Sequence, residues 1–564
     1  MKKKYQIGTI IILVFVLALL FRIWHIDTIP PGLYPDEAMN ANNAIQTIEN
    51  EEPKVFYPEN NGREGFFVWL ISLSFLFFGP AAWSLRLVSA LIGAVTIIGI
   101  YFFTKELLYL KPNKLTVIPG WFKVISKAKI ETRKIIAVLA SFFTTISFWH
   151  INFSRIGFRG ILVPFLMVFS FYFLLKAFRT KKASSYIFAG IFFGLGFYTY
   201  IAFRLAVLIL AVLLISKLIE YWKKKKPFKS KLNWKAWLKK IYIRDNWWKV
   251  DLFLLVIFLV ALPIGLHFLD NPQDFSGRAG GVSVFSQENP IKALTISTGQ
   301  TLGMFNFIGD GNWRHNLAGE PMLFWPIGIL FLIGIILIAE ALIIHCFKSI
   351  KFSEIKISPT HSILLISWFL VMLLPATLTT EGIPHALRTI GVIPIVYIFV
   401  AIGFYWLVEK LYDAKIRSTS FLALIIILSV FVLSPIITFN KYFSEWGKSP
   451  HTEGAFRQDL VDLAKKIKLI HKNKIYVIAN EPGVPVPYPN GLPMPTQTLI
   501  FYDKAYDLNI NFIKEENIQK IKENNSIIII PLVLNKDLTK NLHKNWPNGN
   551  IKQITNKFKA YEIN

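Results

Sequence analysis

Asp36 and Glu37 are adjacent carboxylates in the stretch Tyr34-Pro35-Asp36-Glu37, shortly after the first apolar run of a 564-residue chain. A carboxylate placed beside a hydroxyl or amine can take its proton as that group attacks. The flanking Pro30-Pro31-Gly32 and Tyr34-Pro35 stiffen the loop. Ala38–Ile48 follows as an expected helix, entered through an acidic first turn. A carboxylate held at a lipid interface is partly desolvated, which makes it a better base. The plain alternative is an ordinary solvated loop pair.

A second set of residues is basic. Arg155 and Arg159 lie in Ser154–Arg159, Tyr200 and Arg204 in Tyr198–Arg204, and His385 and Arg388 in Thr379–Arg388. Each segment joins two apolar runs on the side opposite the large basic loops. Arginine is disfavoured on that side of a membrane protein, so two readings stand. The side chains snorkel to lipid headgroups, or their guanidinium forks hold a phosphate. Glu64, in the first outer loop, completes the candidate set. His385 is equally open to a structural role. Asp270, Asp274, Asp310 and His315 lie in one long loop, where a divalent cation is possible, but their spacing matches no tight ligand pattern. No cofactor is firmly implied and no metal ligand is assigned.

These residues need a frame, and composition supplies it. The chain is 53% hydrophobic and 15% aromatic, with a mean hydropathy of +0.45. Apolar runs repeat between basic loops, which indicates a polytopic membrane protein. The net charge of +27 is concentrated in those loops, so it follows the positive-inside rule and excludes a nucleic-acid binder. The one cysteine, Cys346, rules out an intrachain disulfide. Richness in Lys, Asn and Ile points to a prokaryotic source, and thus to the plasma membrane.

The first run, Ile7–Phe21, follows three lysines and lacks a small-x-small cleavage site, so an uncleaved first helix is expected. The run Phe66–Phe78 reaches only about 20 Å as a helix, short of the roughly 30 Å hydrocarbon core. Charge decides its placement. If it lies in the interface without crossing, the basic clusters at 105–134, 176–182, 217–226, 348–356 and 410–417 all face the cytoplasm. Eleven spans then follow: Ile7–Phe21, Trp83–Thr104, Ile135–Phe153, Ile161–Ala177, Ser185–Tyr198, Ala202–Ile215, Leu252–Phe268, Pro321–His345, His361–Leu378, Thr389–Val408 and Phe421–Ile437. The N-terminus is inside and the C-terminus outside.

The expected fold is therefore an all-α polytopic membrane domain over 1–439, with interfacial helices in a first outer loop at 25–82. A small soluble α/β domain over 440–564 follows on the outer face. In that tail, Phe456, Leu460, Leu463, Ile467 and Ile470 are spaced for an amphipathic helix. Lys474–Ala479 and Ser526–Leu532 read as buried strands, and Pro482–Pro495 as a proline-rich loop.

Asp36-Glu37, the non-crossing segment Gly65–Phe78, the helix start Trp83–Gly93 and Phe153-Ser154-Arg155 together resemble the GT-C glycosyltransferases. Within them the chain looks like glycosyltransferase family 39, the protein O-mannosyltransferase and aminoarabinose-transferase-like group, over roughly residues 5–410. The resemblance implies a catalytic aspartate in the first outer loop, a polyprenyl-phosphate-linked sugar donor and an inverting transfer. Carried onto this chain, Asp36 is the general base and Glu37 its companion. Where relatives often place a further acidic residue, this chain has Arg155 and Arg159, which favours a basic phosphate clamp over a two-carboxylate mechanism.

The residues themselves agree with that chemistry. A lipid phosphate is a good leaving group, so the reaction needs a base for the acceptor and cations for the departing charge. No Gly-rich phosphate loop faces the cytoplasm, which argues against a nucleotide-sugar donor. The expected partners are a polyprenyl-phosphate sugar, the bilayer and a protein, glycan or lipid acceptor. A transporter or flippase of lipid-linked sugars is the alternative, and a membrane scaffold presenting the tail is a third. Helix centres nearly free of charge and the lack of an inverted repeat weigh against transport.

Overall fold

The computed structural model describes residues 2–109, 131–224, 247–275, 283–347, 357–413, 417–470, 474–484, 486, 491–523 and 526–563. The lysines at 225, 226, 348, 351, 356 and 415, and most of the basic loop at 105–134, lie outside the described residues. Internal packing divides the chain into two compact units. One comprises Met1–Trp24, Ser89–Ser154 and Arg159–Tyr442; the other comprises His25–Val88, Arg155–Phe158 and Phe443–Asn564.

Among the described residues, eight helices are long and apolar enough to cross a membrane: Ala82–Leu107, Arg159–Thr180, Ile201–Tyr221, Trp248–Asp270, Trp325–Ile344, Pro359–Thr377, Ile390–Leu411 and Phe421–Trp446. Ile7–Ile23, Phe66–Phe78 and Ala183–Gly196 are apolar but shorter. Each segment expected to span falls on helix, with local differences. The third is broken into Thr132–Thr145 and Phe148–Phe153. Ser147 causes the break: its backbone is extended, and its side chain caps the second piece by accepting the His150 N–H at 3.1 Å. The last apolar helix continues through a π-turn at Asn440–Trp446, past the boundary at 440 read from the sequence.

In the first unit the helices Trp325–Phe347 and Ile393–Asp413 approach until their backbones touch. A methyl group on Gly334 would lie 1.9 Å from the Phe399 carbonyl oxygen, and one on Gly403 2.1 Å from that of Leu330. Small residues at a helix crossing let van der Waals packing act in lipid, where the hydrophobic effect is weak.

The second unit joins His25–Val88, the segment that follows the first helix, to the tail. Pro35–Glu49 is a mostly buried helix, and Phe56–Tyr57 (β1) pairs antiparallel with Arg63–Glu64 (β2). The 13-residue helix Phe66–Phe78 exposes Leu73, Leu76, Phe77 and Phe78. The tail carries Lys474–Ile478 (β3), Ile510–Ile513 (β4), Ile527–Pro531 (β5), Asn550–Gln553 (β6) and Lys559–Ile563 (β7). Their order is β4-β3-β5-β7-β6, with β3 parallel to β4 and β5 and β7 antiparallel to β5 and β6. Ile478, Ile527, Ile529, Leu538 and Leu542 build the core on one face. The expected amphipathic helix is Gln458–Ile467, with Leu460, Leu463 and Ile467 buried.

Tail and loop are bonded directly. Thr498 Oγ1 donates to the Leu33 carbonyl at 3.0 Å, and Asn42 Nδ2 to the Gln497 carbonyl and Oε1, both at 3.1 Å. Met39 packs with Val486 and Met494.

Candidate active site

Pro35 opens the helix Pro35–Glu49, and places Asp36 and Glu37 in its first turn. The two carboxylates then diverge. Glu37 is wholly buried. Arg86 Nε donates to its Oε1 at 3.1 Å and Arg86 Nη2 to its Oε2 at 3.2 Å. The Gly157 N–H donates to Oε1 at 2.8 Å and the Tyr34 N–H to Oε2 at 3.3 Å. Asp36 is half-buried, and its Oδ1 accepts from Asn60 Nδ2 at 2.8 Å.

Two arginines hold the backbone leading to Asp36. Arg86 Nη1 donates to the Pro30 carbonyl at 2.6 Å and Nη2 to that of Gly32 at 2.8 Å. Arg155 Nη2 donates to the carbonyls of His25 and Ile29 at 3.1 and 2.7 Å. The Arg155 guanidinium lies over the Phe443 ring, and the side chain is fully buried.

A third arginine bonds the hairpin to the helix. Arg63 on β2 donates Nη1 to Asn40 Oδ1 at 2.6 Å, Nη2 to Asn43 Oδ1, and Nε to the Glu59 carbonyl at 3.3 Å. This ties the β1–β2 turn to the helix that carries Asp36. Asn60 and Asn61 in that turn have positive φ, a conformation asparagine tolerates. Glu64, also on β2, is buried.

The other sequence candidates belong to the first unit, in three groups. Arg159 sits over the Tyr200 ring at 5.6 Å. Arg204 sits over Phe268 and Phe275 and donates to the Phe275 carbonyl at 2.6 Å. Arg388 donates to Thr379 Oγ1 and the Glu381 carbonyl, while its N–H points to His385 Nδ1 at 3.4 Å. Arg159, Arg204 and Arg388 are each half-buried.

Sequence reading missed Arg86, Asn60, Arg63, Asn40 and Asn43 as parts of the Asp36 cluster. Arg86 carried a usable signal, a charge within the first turns of an apolar helix. The asparagines and Arg63 carried none, because their pairing depends on how the hairpin folds back.

Among solved structures, the aminoarabinose transferase ArnT from Cupriavidus metallidurans in the apo state matches with a TM-score of 0.53. The match has 11% identity and covers 100% of this chain and 98% of that one. The chain shares the fold of that ArnT. With that fold and its apolar helices, it is an integral membrane protein. ArnT from the same organism bound to undecaprenyl phosphate matches with a TM-score of 0.48 and 12% identity, over 99% of this chain and 97% of that one. The apo oligosaccharyltransferase of Archaeoglobus fulgidus matches with a TM-score of 0.48 and 14% identity, over 84% of this chain. This chain spans 62% of that oligosaccharyltransferase's length. No family model and no curated protein matches the sequence.

Proposed function

We propose that the chain is a membrane glycosyltransferase that moves a sugar from a polyprenyl-phosphate donor to an acceptor on the outer face of a prokaryotic plasma membrane, with Asp36 as general base. The contrast between the two adjacent carboxylates carries this reading. Glu37 is consumed by structure, while Asp36 keeps solvent access beside one neutral asparagine donor. The fold shared with ArnT supports the reaction class.

In the proposed step an acceptor hydroxyl or amine attacks the anomeric carbon. The new glycosidic bond forms as the bond from that carbon to the phosphate oxygen breaks. The acceptor proton passes to Asp36, and polyprenyl phosphate leaves as the anion. A single displacement of this kind inverts the anomeric centre. Asn60 orients the base, and Glu37, Arg86 and Arg155 position its loop. We assign the donor phosphate to the half-buried arginines Arg159, Arg204 and Arg388, because the remaining arginine of the candidate set, Arg155, is fully buried against backbone carbonyls. Preorganised cations at the leaving oxygen stabilise the charge that develops there.

The acceptor is a protein, a glycan or a lipid. The tail borders the Asp36 helix through Gln497 and Thr498, which supports a role for it in acceptor choice. The test offers radiolabelled polyprenyl-phosphate sugars and a cell-envelope extract to reconstituted wild type and Asp36→Asn. The expected result is loss of transfer in Asp36→Asn with donor binding retained. Equal transfer by the two proteins removes Asp36 as the base.

A further inference from the structure

In the first unit a carboxylate and an imidazole of one loop converge with an imidazole of another. Asp310, His315 and His385 each present one ligand atom, and these atoms lie within 4.8 Å of one another. His315 Nδ1 is 2.9 Å and His385 Nδ1 3.9 Å from Asp310 Oδ2. The two rings lie side by side, with centroids 4.8 Å apart. We propose that these three residues bind one divalent transition-metal ion of the zinc class, which clips the loop Gly309–Glu320 to the hairpin Thr379–Thr389.

The chemistry of the donor set favours this class. Neutral imidazoles suit zinc and its neighbours, while calcium and magnesium take oxygen ligands almost exclusively. Zinc–nitrogen bonds of about 2.0–2.1 Å in a tetrahedron place ligand atoms roughly 3.3 Å apart. The observed separations bracket that value, so small ring rotations close the site. Three protein ligands leave one position for water.

The carboxylate is already oriented by the backbone. Asp310 Oδ1 accepts the Asn312 N–H and Oδ2 the Ala386 N–H, both at 2.8 Å. Such outer contacts are what fix a ligating carboxylate. Asp310 is 2% and His315 4% exposed. Burying a carboxylate is costly unless its charge is compensated, and a dication supplies that compensation.

The surrounding loops form a rigid seat. Gly309 N–H donates to the Gly319 carbonyl and Gly319 N–H to that of Asp310, closing the loop on itself. Asn152 Nδ2 donates to the Arg314 carbonyl and Trp149 Nε1 to that of Ala386, so both ligand loops are anchored to Phe148–Phe153. The ion would lock the hairpin that carries Arg388.

The test uses the full chain in detergent, stripped with a chelator and titrated with Co(II) while visible ligand-field absorption is recorded. Zn(II) competition and metal content by mass spectrometry follow. Wild type is expected to take up one equivalent, lose the cobalt bands on adding Zn(II), and gain a few degrees in Tm. His315→Asn and His385→Gln are expected to weaken uptake at least tenfold, while His451→Gln, outside the cluster, leaves it unchanged. Wild type decides the question even if a variant fails to fold. Absence of saturable uptake by folded wild type overturns the proposal, as does equal uptake by the folded cluster variants.

Discussion

Arg86 and Glu37 form an ion pair of 3.1 Å in which both side chains are sealed from solvent. The same guanidinium bonds the carbonyls of Pro30 and Gly32. One arginine thus neutralises the second carboxylate of the acidic pair and sets the path of the backbone that delivers the first.

Removing one partner of that pair leaves a buried charge uncompensated, at a cost of about 3–5 kcal/mol. Arg86→Met and Glu37→Gln are therefore expected to lower Tm markedly in detergent. Arg86→Lys does not rescue, because an ammonium cannot span the carboxylate and two carbonyls as the planar fork does. Thermal unfolding of the purified variants checks this.

Asp36→Asn should behave in the opposite way. The side chain is half-buried and its partner is a neutral amide, so stability should stay within roughly 0.5 kcal/mol of wild type. Transfer should fall by about 10²–10⁴-fold, the usual worth of a positioned general base. Asn60→Ala should give a smaller loss, seen mainly in kcat, with Tm little changed. Single-turnover transfer assays beside melting curves separate these effects from those of Arg86.

The difference between Asp36 and Glu37 shows where sequence reading stops. Apolar runs and loop charge were enough to locate the helices, because lipid imposes length and sign on any sequence that crosses it. The short helix Phe66–Phe78 and the strands at 474 and 526 were legible for similar local reasons. The acidic pair was visible, but not its division of labour. Glu37 turns inward because Arg86 and the Gly157 N–H wait there, and both are remote in sequence. Arg155 stood out as an arginine on the side expected to face outward, yet its bonds to His25 and Ile29 follow from tertiary folding alone. Asp310 and His315 lacked a pattern because the third donor, His385, comes from another loop.

Gly32 offers a test of how the loop and tail depend on each other. Its φ is +67°, and a methyl group there would lie 2.3 Å from the Phe456 carbonyl oxygen. Gly32→Ala should cost more than the roughly 1 kcal/mol usual for a left-handed alanine, because backbone must also move. Transfer should fall along with Tm, since the displaced carbonyl is one that Arg86 holds. Proteolysis in the tail, followed over time, should quicken in step.

The tail also predicts a pH dependence. Burial pushes the Asp459 carboxyl up, but hydrogen bonds from Arg457 and Lys557 outweigh this and hold it below the usual carboxylate range. Arg457 bridges Asp459 at 3.0 Å and Glu481 at 2.8 Å, and Lys557 reaches Asp459 at 2.7 Å. A carboxyl depressed by folding stabilises the folded state fully above its unfolded pKa of about 3.9. That stabilisation is lost as pH falls through the lower folded value. Tail unfolding, followed by protease sensitivity between pH 7 and pH 3, should therefore show a stability loss confined to the acid end. Asp459→Asn should be less stable than wild type at pH 7, and the gap should narrow toward pH 3. A gap that stays constant across that range would mean that Asp459 acts through packing and hydrogen bonding, with no contribution from its charge.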